Sequence, residues 1–466
     1  MFTTIIILQT GGIFMKIVIV GCGKIGATIL SNLTSEGHNI VAIDSDAEVI
    51  TELTNVYDVM GICGNGADSD ILDEAGVGSA ELFIAVSNSD ELNMLSCFLA
   101  RKMGAKHTIA RVRNPEYNDK SLRFMKENLE LSMAINPELL AAKELFNILK
   151  FPSAVKIEKF SRGNLEMIEF RLGSDSALDG MTLIDLRKNH RAKVLVCYVR
   201  RGDEVFIPNG TFTLKSGDLI GLTAKSTELQ KFFKSLGVYK KQAKNVMILG
   251  GGKVSLYLSE MLLEAGSSVK IIEKNKEVCN TLSEALPKAV VLNGDGAEHE
   301  LLLEEGLESL DAFVSLTGMD EENILLSIFA SNQKVPKTIA KVDRDELVNL
   351  AERLGLDCVV SAKRMTANVL LSYARALENS LGSNVETLYK LADGKAEALE
   401  FNVKPDSKVI GIPLKELAIK KGILIAGIIR DRKTVIPSGD DVIKAHDNVV
   451  VIAADQGLRD LDGILR

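Results

Sequence analysis

The chain carries an internal repeat, which restricts the folds that the sequence can adopt. A glycine-rich segment that begins at Gly21 recurs from Gly250, and Asp44 is matched by Glu273 at the same spacing of 229 residues. The sequence Ile-Pro-Asn-Gly recurs as Ile-Pro-Ser-Gly in this same register. One register held over so many positions is the signature of a duplication, in which each copy forms a similar unit. The sequence therefore predicts two copies of one structural unit.

Each copy opens with an alternation of strands and helices. In the first copy, the apolar run 16–20 predicts a strand, and the helical pattern 25–36 follows the glycines and ends at Gly37. Further strands are predicted at 39–43, 82–86, 108–112 and 131–135. Strands that alternate with helices are typical of a parallel, doubly wound sheet. We therefore predict an α/β fold with a Rossmann-like domain at the start of each copy.

The later part of each copy has a different pattern, with short strands and tight turns. In the first copy, strands are predicted at 166–170, 194–199, 205–207 and 218–222, and the second copy repeats this plan between 399 and 452. Segments of fewer than about 100 residues with this pattern are typical of small α+β modules. The predicted divisions are an N-terminal extension at 1–14, Rossmann-like domains at 15–150 and 245–380, small C-terminal modules at 151–238 and 381–466, and a linker at 239–244.

A helix is predicted from Pro137 to about Lys150, because proline fits the first turn of a helix, where its missing N–H group has no intrahelical partner. Its apolar positions, which include Leu145 and Ile148, either pack on a second subunit or cover the sheet. At the other end of this domain, Met15 directly precedes the first strand, so Met1 and Met15 are both candidate translation starts.

Composition excludes several classes of function. The net charge of -8 argues against nucleic acid as the main partner, because binding to phosphates requires clustered Lys and Arg. The six Cys have no Cys-x-x-Cys spacing, which is typical of reduced thiols in a cytosol. The five His fall at unrelated repeat positions and are interpreted as surface residues rather than metal ligands. No run approaches about 18 apolar residues, so any membrane role is expected to require a partner.

The glycine-rich segment of the first copy predicts a nucleotide site. It follows a strand and opens a helix, so backbone N–H groups and the helix dipole face a bound anion. Gly21 permits the turn, Gly23 lets a pyrophosphate approach, and Gly26 lets the helix pack on the strand. Asp44 is placed to accept hydrogen bonds from a ribose and to repel the 2′-phosphate of NADP. The alternative is a glycine turn kept only for sheet geometry. The candidate residues are Gly21, Cys22, Gly23, Lys24, Ile25, Gly26, Asp44, Gly64, Ser87, Asn88 and Arg111.

The second copy departs from this pattern at two positions. Ser255 replaces the third glycine, and its side chain is expected to crowd or shift the contact between helix and strand. Lys341 replaces Arg111, which is interpreted either as a phosphate ligand or as part of a structural ion pair, and lysine loses the bidentate geometry. A second site with no ligand therefore stays an alternative. The candidate residues are Gly250, Gly251, Gly252, Lys253, Val254 and Glu273.

The order of these motifs resembles a known family. The segment 16–26, then Asp44, then Ser87 to Asn93 and Ala110 to Arg113 resemble the regulator-of-potassium-conductance (RCK) domain. The duplicated arrangement is similar to the peripheral subunits of Trk-type potassium uptake systems, from Met15 to Arg466. The resemblance implies a regulatory function without catalysis. It also implies binding of NAD(H) or ATP/ADP at Gly21, Gly23, Gly26, Asp44 and Arg111, and a second site would use Gly250, Gly252 and Glu273.

The resemblance also implies the partners of the chain. It implies a homo-oligomer, in particular a tetramer, that gates a membrane-embedded, TrkH/TrkG-like potassium-translocating subunit. The expected location is cytoplasmic, peripheral on the inner face of the plasma membrane. Two alternatives stay open, namely an NAD-dependent oxidoreductase and a soluble nucleotide sensor with a different partner. Neither small module offers a cluster of His, Lys and carboxylate suited to hydride transfer, which favours regulation.

Overall fold

The computed structural model describes residues 14–115, 117, 119–160, 165–174, 176–190, 193–356, 358–380, 385–431, 433–454, 458 and 460–466. The chain divides into two units. The first contains Met1–Pro137 and Lys363–Gly382, and the second contains Glu138–Ala362 and Ser383–Arg466. In the described part of the chain, no helix is both long and apolar enough to cross a membrane.

The first repeat begins with a parallel sheet of six strands in the order β3-β2-β1-β4-β5-β6. Central strands are apolar on both faces because helices cover both sides of such sheets. The strands are β1 Lys16–Val20, β2 Asn39–Asp44, β3 Met60–Cys63, β4 Leu82–Ala85, β5 His107–Arg111 and β6 Met133–Ile135. The helices are α1 Lys24–Ser35, α2 Ala47–Val56, α3 Ser69–Glu74, α4 Asp90–Met103 and α5 Asp119–Asn128.

Helix α6 (Pro137–Lys150) leads from this sheet to the first small module. The module is an antiparallel sheet in the order β10-β9-β11-β8-β7. Its strands are β7 Lys156–Phe160, β8 Leu165–Arg171, β9 Leu195–Arg201, β10 Glu204–Phe206 and β11 Leu219–Ala224. Its helices are α7 Leu183–Asn189 and α8 Ser226–Ser235.

The second repeat reproduces both sheets, which confirms the predicted fold class. Its parallel sheet has the order β14-β13-β12-β15-β16-β17, and its antiparallel sheet has the order β18-β19-β22-β20-β21. The parallel strands are β12 Asn245–Leu249, β13 Ser268–Glu273, β14 Val290–Asn293, β15 Ala312–Ser315, β16 Lys337–Lys341 and β17 Val359–Val360. The helices are α9 Lys253–Glu264, α10 Lys276–Ala285, α11 His299–Glu304, α12 Asp320–Asn332, α13 Asp345–Arg353 and α14 Ala362–Ser380. The antiparallel strands are β18 Val385–Leu391, β19 Ala396–Asn402, β20 Ile423–Arg430, β21 Lys433–Val435 and β22 Asn448–Ala453.

Helix α14 belongs to the unit of the first sheet, although it follows the second sheet in the chain. The guanidinium of Arg375 forms two hydrogen bonds to the carboxylate of Glu36, with distances of 2.9 and 2.6 Å. His38 is 4% exposed and its Nδ1 lies 3.7 Å from Oε1 of Glu378. The interpretation of every histidine as a surface residue is therefore wrong for His38, which α14 covers.

Helix α6 in turn belongs to the second unit, where Leu145, Ile148 and Leu149 are buried. Leu139 and Leu140 of the same helix are half-buried. The chain itself therefore covers the C-terminal part of this apolar face, and contact of its N-terminal part with a second subunit stays a prediction.

The two small modules share one hydrophobic core. Tyr198 on β9 lies opposite Gly221, where a Cβ atom would come within 2.1 Å of the tyrosine ring. At the corresponding positions of the second module, Gly427 lies opposite Val450. A Cβ atom at Gly427 would lie 2.4 Å from Cδ2 of Leu165 in the first module. In the first module the large residue, Tyr198, is on β9 and the glycine is on β11. In the second module the glycine, Gly427, is on β20 and the larger residue, Val450, is on β22.

Each small module also contains an Arg–Asp pair in which the carboxylate is buried and the guanidinium is partly exposed. Asp218 is fully buried, and both its oxygens accept hydrogen bonds of 2.7 Å from the guanidinium of Arg201. Asp447 pairs with Arg430 in the same way at 2.8 and 2.7 Å. Bidentate pairs of this kind combine charge with fixed geometry. They hold the last strand of each sheet against its neighbour.

A group of charged side chains lies where α6 meets the first small module. One oxygen of Glu144 accepts a hydrogen bond from the backbone of Ile157, and Oε1 is buried without a hydrogen-bond partner in the described structure. Burial, followed by the negative charge of Glu158, raises the pKa of Glu144 to about 7. Glu169 adds to this effect and Lys156 opposes it. The Nζ atom of Lys156 lies 2.8 Å from Glu158.

We expect the substitution Glu144→Gln to remove a pH-dependent loss of stability. The pKa of Glu144 in the folded chain lies above its ordinary value of 4.5, so the folded state binds more protons between that value and about 7. Stability therefore falls as the pH rises through this window, by at most about 3 kcal/mol. Thermal unfolding across the window measures the slope, with the exposed Glu284→Gln as control. Equal slopes in the wild type and Glu144→Gln would contradict the assignment.

Candidate nucleotide-binding sites

The glycine-rich loop of the first repeat joins β1 to α1. Gly21 has φ of +86°, a conformation that favours glycine, and its N–H donates to the carbonyl of Ile43 at 2.9 Å. A Cβ atom at Gly21 would lie 2.5 Å from the backbone nitrogen of Ser87. Gly23 precedes α1 and is exposed, and a Cβ atom there would have no neighbour within 4 Å. The loop therefore leaves an open surface at the helix N-terminus, which suits a phosphate group.

The third glycine brings the helix against the loop. A Cβ atom at Gly26 would lie 2.0 Å from the carbonyl oxygen of Gly21. Lys24 and Ile25 form the first turn of α1, where backbone N–H groups have no partners within the helix. The side chain of Lys24 is exposed.

Asp44 at the end of β2 is tied to the same loop. Its Oδ2 accepts a hydrogen bond of 2.6 Å from the N–H of Cys22, and its Oδ1 accepts one of 3.0 Å from Asp46. The carboxylate is partly exposed beside the glycines. Each carboxylate oxygen has a further lone pair, so the group is oriented by the loop and still able to accept from a ribose hydroxyl.

The thiol of Cys22 has no role as a nucleophile in this arrangement. Burial, followed by the charge of Asp44, raises the pKa of Cys22 to about 12. The thiol is therefore protonated near neutral pH. What Cys22 contributes to the site is its backbone N–H group.

The other candidate residues of the first site lie at neighbouring strand ends. The N–H of Gly64 donates to the carbonyl of Asp44 at 2.8 Å. Ser87 follows β4, and Asn88 is exposed beyond it. Arg111 ends β5, is 6% exposed, and donates from Nη1 to the carbonyl of Val86 at 3.3 Å. The structure thus brings the predicted residues together at the carboxyl edge of the sheet, which is where ligands bind in such folds.

Asn93 holds two of these strand ends together, a role that sequence analysis missed. Its side chain accepts from the N–H of Ser87 at 2.8 Å and donates to the carbonyls of Ser87 and Arg111. Asn323 makes the equivalent bonds to Thr317 and Lys341 in the second repeat. The sequence does contain a signal for this role, because asparagine recurs at the equivalent position of the second repeat as Asn323.

The second repeat forms a similar loop. Gly250 has φ of +94°, and Gly252 precedes α9 with open space at its Cβ position. Oε2 of Glu273 accepts a hydrogen bond of 2.6 Å from the N–H of Gly251. Its Oε1 accepts one of 2.7 Å from Asn275. Glutamate therefore makes the same two contacts as Asp44, despite its extra methylene group. Lys253 and Val254 form the first turn of α9.

Ser255 is accommodated by a hydrogen bond. Its hydroxyl lies 2.5 Å from the carbonyl oxygen of Gly250, the group that corresponds to the carbonyl facing Gly26. The expected crowding is therefore offset by an attractive contact. Lys341 ends β16 at the position of Arg111 and is less buried.

Both loops present backbone N–H groups next to a carboxylate, an arrangement that recognises a phosphate linked to a ribose. In the described residues, no group of three or more His, Cys, Asp or Glu side chains could hold a metal ion. The site therefore consists of backbone donors, a carboxylate and, in the first repeat, a guanidinium.

Comparison with known proteins matches both repeats. The TrkA-N domain model matches residues 17–137 and 246–362, and the TrkA-C domain model matches 167–237 and 398–466. The chain is 33% identical over 447 residues to "Trk system potassium uptake protein TrkA homolog 1" of Methanosarcina mazei, covering 94% of this chain and 97% of the relative. It is 30% identical over 450 residues to "Trk system potassium uptake protein TrkA" of Haemophilus influenzae, covering 95% of this chain and 96% of the relative. Among solved structures, "GsuK channel bound to NAD" matches with a TM-score of 0.61 at 18% identity, covering 95% of this chain and 77% of that chain.

Proposed function

Because the chain belongs to the TrkA family of Trk-system potassium uptake proteins, we propose that it is a regulatory subunit that gates a potassium-conducting membrane partner. The observation that carries this proposal is the match of both repeats, each with its sheet domain and small module, to relatives of nearly the same length. The function is regulatory rather than catalytic. The partner is a membrane-embedded subunit of the TrkH/TrkG type, and this chain is peripheral on the cytoplasmic face.

The regulatory ligand is a nucleotide, either NAD(H) or ATP/ADP. Its phosphates lie against the N–H groups at Gly23, Lys24 and Ile25, and its ribose hydroxyls donate to Asp44. Arg111 adds positive charge at the neighbouring strand end. Support comes from the open loop geometry and from the NAD named for the GsuK channel, whose fold this chain shares. Glu273 offers the same contact in the second repeat.

The chain acts as a homo-oligomer, with a tetramer as the proposed state. Two exposed leucines support self-association, because they occupy equivalent positions of the two repeats. Leu95 on α4 is 49% exposed and Leu325 on α12 is 64% exposed. The support for self-association is therefore the recurrence of an exposed leucine at the same helix position of both repeats.

Gating follows from differential affinity. A nucleotide that binds one arrangement of the oligomer more tightly than another shifts the population toward the first. A tenfold shift requires a difference of about 1.4 kcal/mol in binding free energy between the two arrangements. The Asp44 carboxylate and the N-terminus of α1 contribute to this difference in binding free energy only if the glycine-rich loop has different conformations in the two arrangements of the oligomer.

Flux measurements test the proposed function. The purified chain is added to lipid vesicles that contain the potassium-translocating partner, and ion uptake is measured with NADH, NAD, ATP or ADP. We expect uptake to depend on the chain and to change with one of these pairs. Uptake that is the same with and without the chain would contradict the proposal. Oxidation of NADH by the chain with a small substrate would support an oxidoreductase instead.

A further inference from the structure

Helix α14 contacts the first sheet domain at the end opposite the glycine-rich loop. The hydroxyl of Tyr373 lies 3.4 Å from Nδ1 of His107, the first residue of β5. The guanidinium of Arg375 donates two hydrogen bonds to the carboxylate of Glu36, the residue that caps the C-terminus of α1. The C-terminus of β5 and the N-terminus of α1 lie at the candidate nucleotide site. Two elements therefore run from that site to α14.

The contact between Glu36 and Arg375 has a fixed geometry. The side chains are 18% and 11% exposed, and the two hydrogen bonds are 2.9 and 2.6 Å long. A bidentate pair of this kind holds both partners in one plane, and removal of one partner of a largely buried pair is costly. The pair therefore fixes the end of α1 relative to α14.

The other end of α1 is fixed by the glycine-rich loop. A Cβ atom at Gly26 would lie 2.0 Å from the carbonyl oxygen of Gly21, so the helix sits directly on the loop. With 12 residues, α1 is about 18 Å long. A phosphate bound to the N–H groups of Lys24 and Ile25 would hold one end of a rigid element whose other end contacts Arg375.

This contact is specific to the first repeat. At the spacing of 229 residues, the equivalent of Glu36 is Ala265, whose methyl side chain cannot form an ion pair. The equivalent of His38 is Ser267, whose hydroxyl donates to the carbonyl of Ala243 at 2.9 Å. The C-terminus of α9 therefore has no charged group with which to reproduce the contact of Glu36.

The place of α14 in the chain gives this contact a consequence. In the sequence, α14 follows β17 of the second sheet and precedes β18 of the second small module. Its residues Lys363 to Ser380 nevertheless belong to the unit of the first sheet. Because the chain is continuous, a change in the position of α14 acts on the segments that precede and follow it.

We propose that the Glu36–Arg375 pair couples nucleotide binding at the first glycine-rich loop to helix α14. This inference rests on the proposed function, because it takes that loop as a nucleotide site. The nucleotide binds more tightly when the pair is formed, and it therefore stabilises the packing of α14. By linkage, loss of the pair weakens nucleotide binding by the same factor.

Hydrogen exchange of the full chain, with and without saturating NADH and then saturating ATP, measures this coupling. Calorimetry on the same samples measures binding. We expect a bound nucleotide to slow exchange in α14 of the wild type at least about fivefold. Glu36→Gln should bind the nucleotide at least about fivefold more weakly, and saturation should no longer slow exchange in α14. Glu264→Gln, which changes an exposed glutamate at the end of α9, should behave as the wild type.

The outcomes separate this proposal from the proposed function. Binding that slows exchange in α14 equally in the wild type and Glu36→Gln, or not at all in the wild type, would overturn the coupling alone. Slower exchange that persists in Asp44→Ala would assign the effect to the second loop and overturn the coupling as well. Absence of nucleotide binding by the wild type would overturn both. If Glu36→Gln fails to fold, Glu36→Asp replaces it, because the shorter side chain keeps the charge and loses the bidentate geometry.

Discussion

Asp44→Ala is expected to weaken nucleotide binding at the first site by roughly 30-fold to 1000-fold, equivalent to about 2–4 kcal/mol. The carboxylate is held beside the loop by the N–H groups of Cys22 and Asp46, so it accepts from a ribose without further ordering. Hydrogen bonds to a charged acceptor are about twice as strong as neutral ones. Calorimetric titration with NADH, NAD, ATP and ADP measures the loss.

Two variants control for indirect effects of this substitution. Asp58→Ala removes an exposed aspartate of the same domain and should leave the affinity unchanged. Glu273→Ala makes the equivalent change at the second loop and reports whether that loop binds at all. Unchanged affinity in Asp44→Ala would rule out the ribose contact. A loss in Glu273→Ala alone would place binding in the second repeat.

Asp218→Ala should lower the stability of the first small module by about 2–3 kcal/mol. The substitution leaves the partly exposed guanidinium of Arg201 without its buried carboxylate partner, and the N–H of Lys215 loses its acceptor at 2.8 Å. Urea unfolding, combined with hydrogen exchange of β9 and β11, separates this module from the other parts of the chain.

Asp203→Ala is the matched control, because Asp203 lies in the same module and is exposed. Its ion pair with Lys395 is accessible to solvent, so its removal should leave the unfolding transition in place. Equal transitions for Asp218→Ala and the wild type would mean that the Arg201 pair contributes no net stability. Asp447→Ala extends the test to the second module, where Arg430 has the same geometry.

A strand that is buried on both faces is predicted directly from its apolar run, whereas β10, Glu204–Phe206, was predicted from the tight turn that precedes it. β4, Leu82–Ala85, is buried at every position and therefore reads as a continuous apolar run. β3, Met60–Cys63, lies at a sheet edge and buries only Ile62, so it was missed. β7, Lys156–Phe160, was missed because it carries Lys156 and Glu158, which pair with each other. A local pattern does not show that Glu144 and Glu169, from other elements, lie near Lys156 in the fold.

The glycine-rich loops were predictable because their geometry is local, whereas other features depend on distant contacts. Gly21 needs its φ of +86° within a single turn. The grouping of α14 with the first sheet depends on Arg375 and Glu36, which are 339 positions apart. An amphipathic pattern shows that one face of a helix is buried, but it does not show which sheet covers it. Asn93 lies in a segment that resembles the RCK domain, yet its role emerges only when the ends of β4 and β5 are side by side.

The exchange of large and small residues between the two small modules has an evolutionary consequence. In an ancestor with a single repeat, two identical modules would carry the same residue at the positions of Tyr198 and Gly427. In the duplicated chain these two positions differ, and Leu165 packs where Gly427 has no side chain. If the first small modules of two chains paired with each other, Tyr198 of one chain would take the place of Gly427 next to Leu165 of the other chain. Packing at this point therefore favours the pairing of a first module with a second module over the pairing of two first modules.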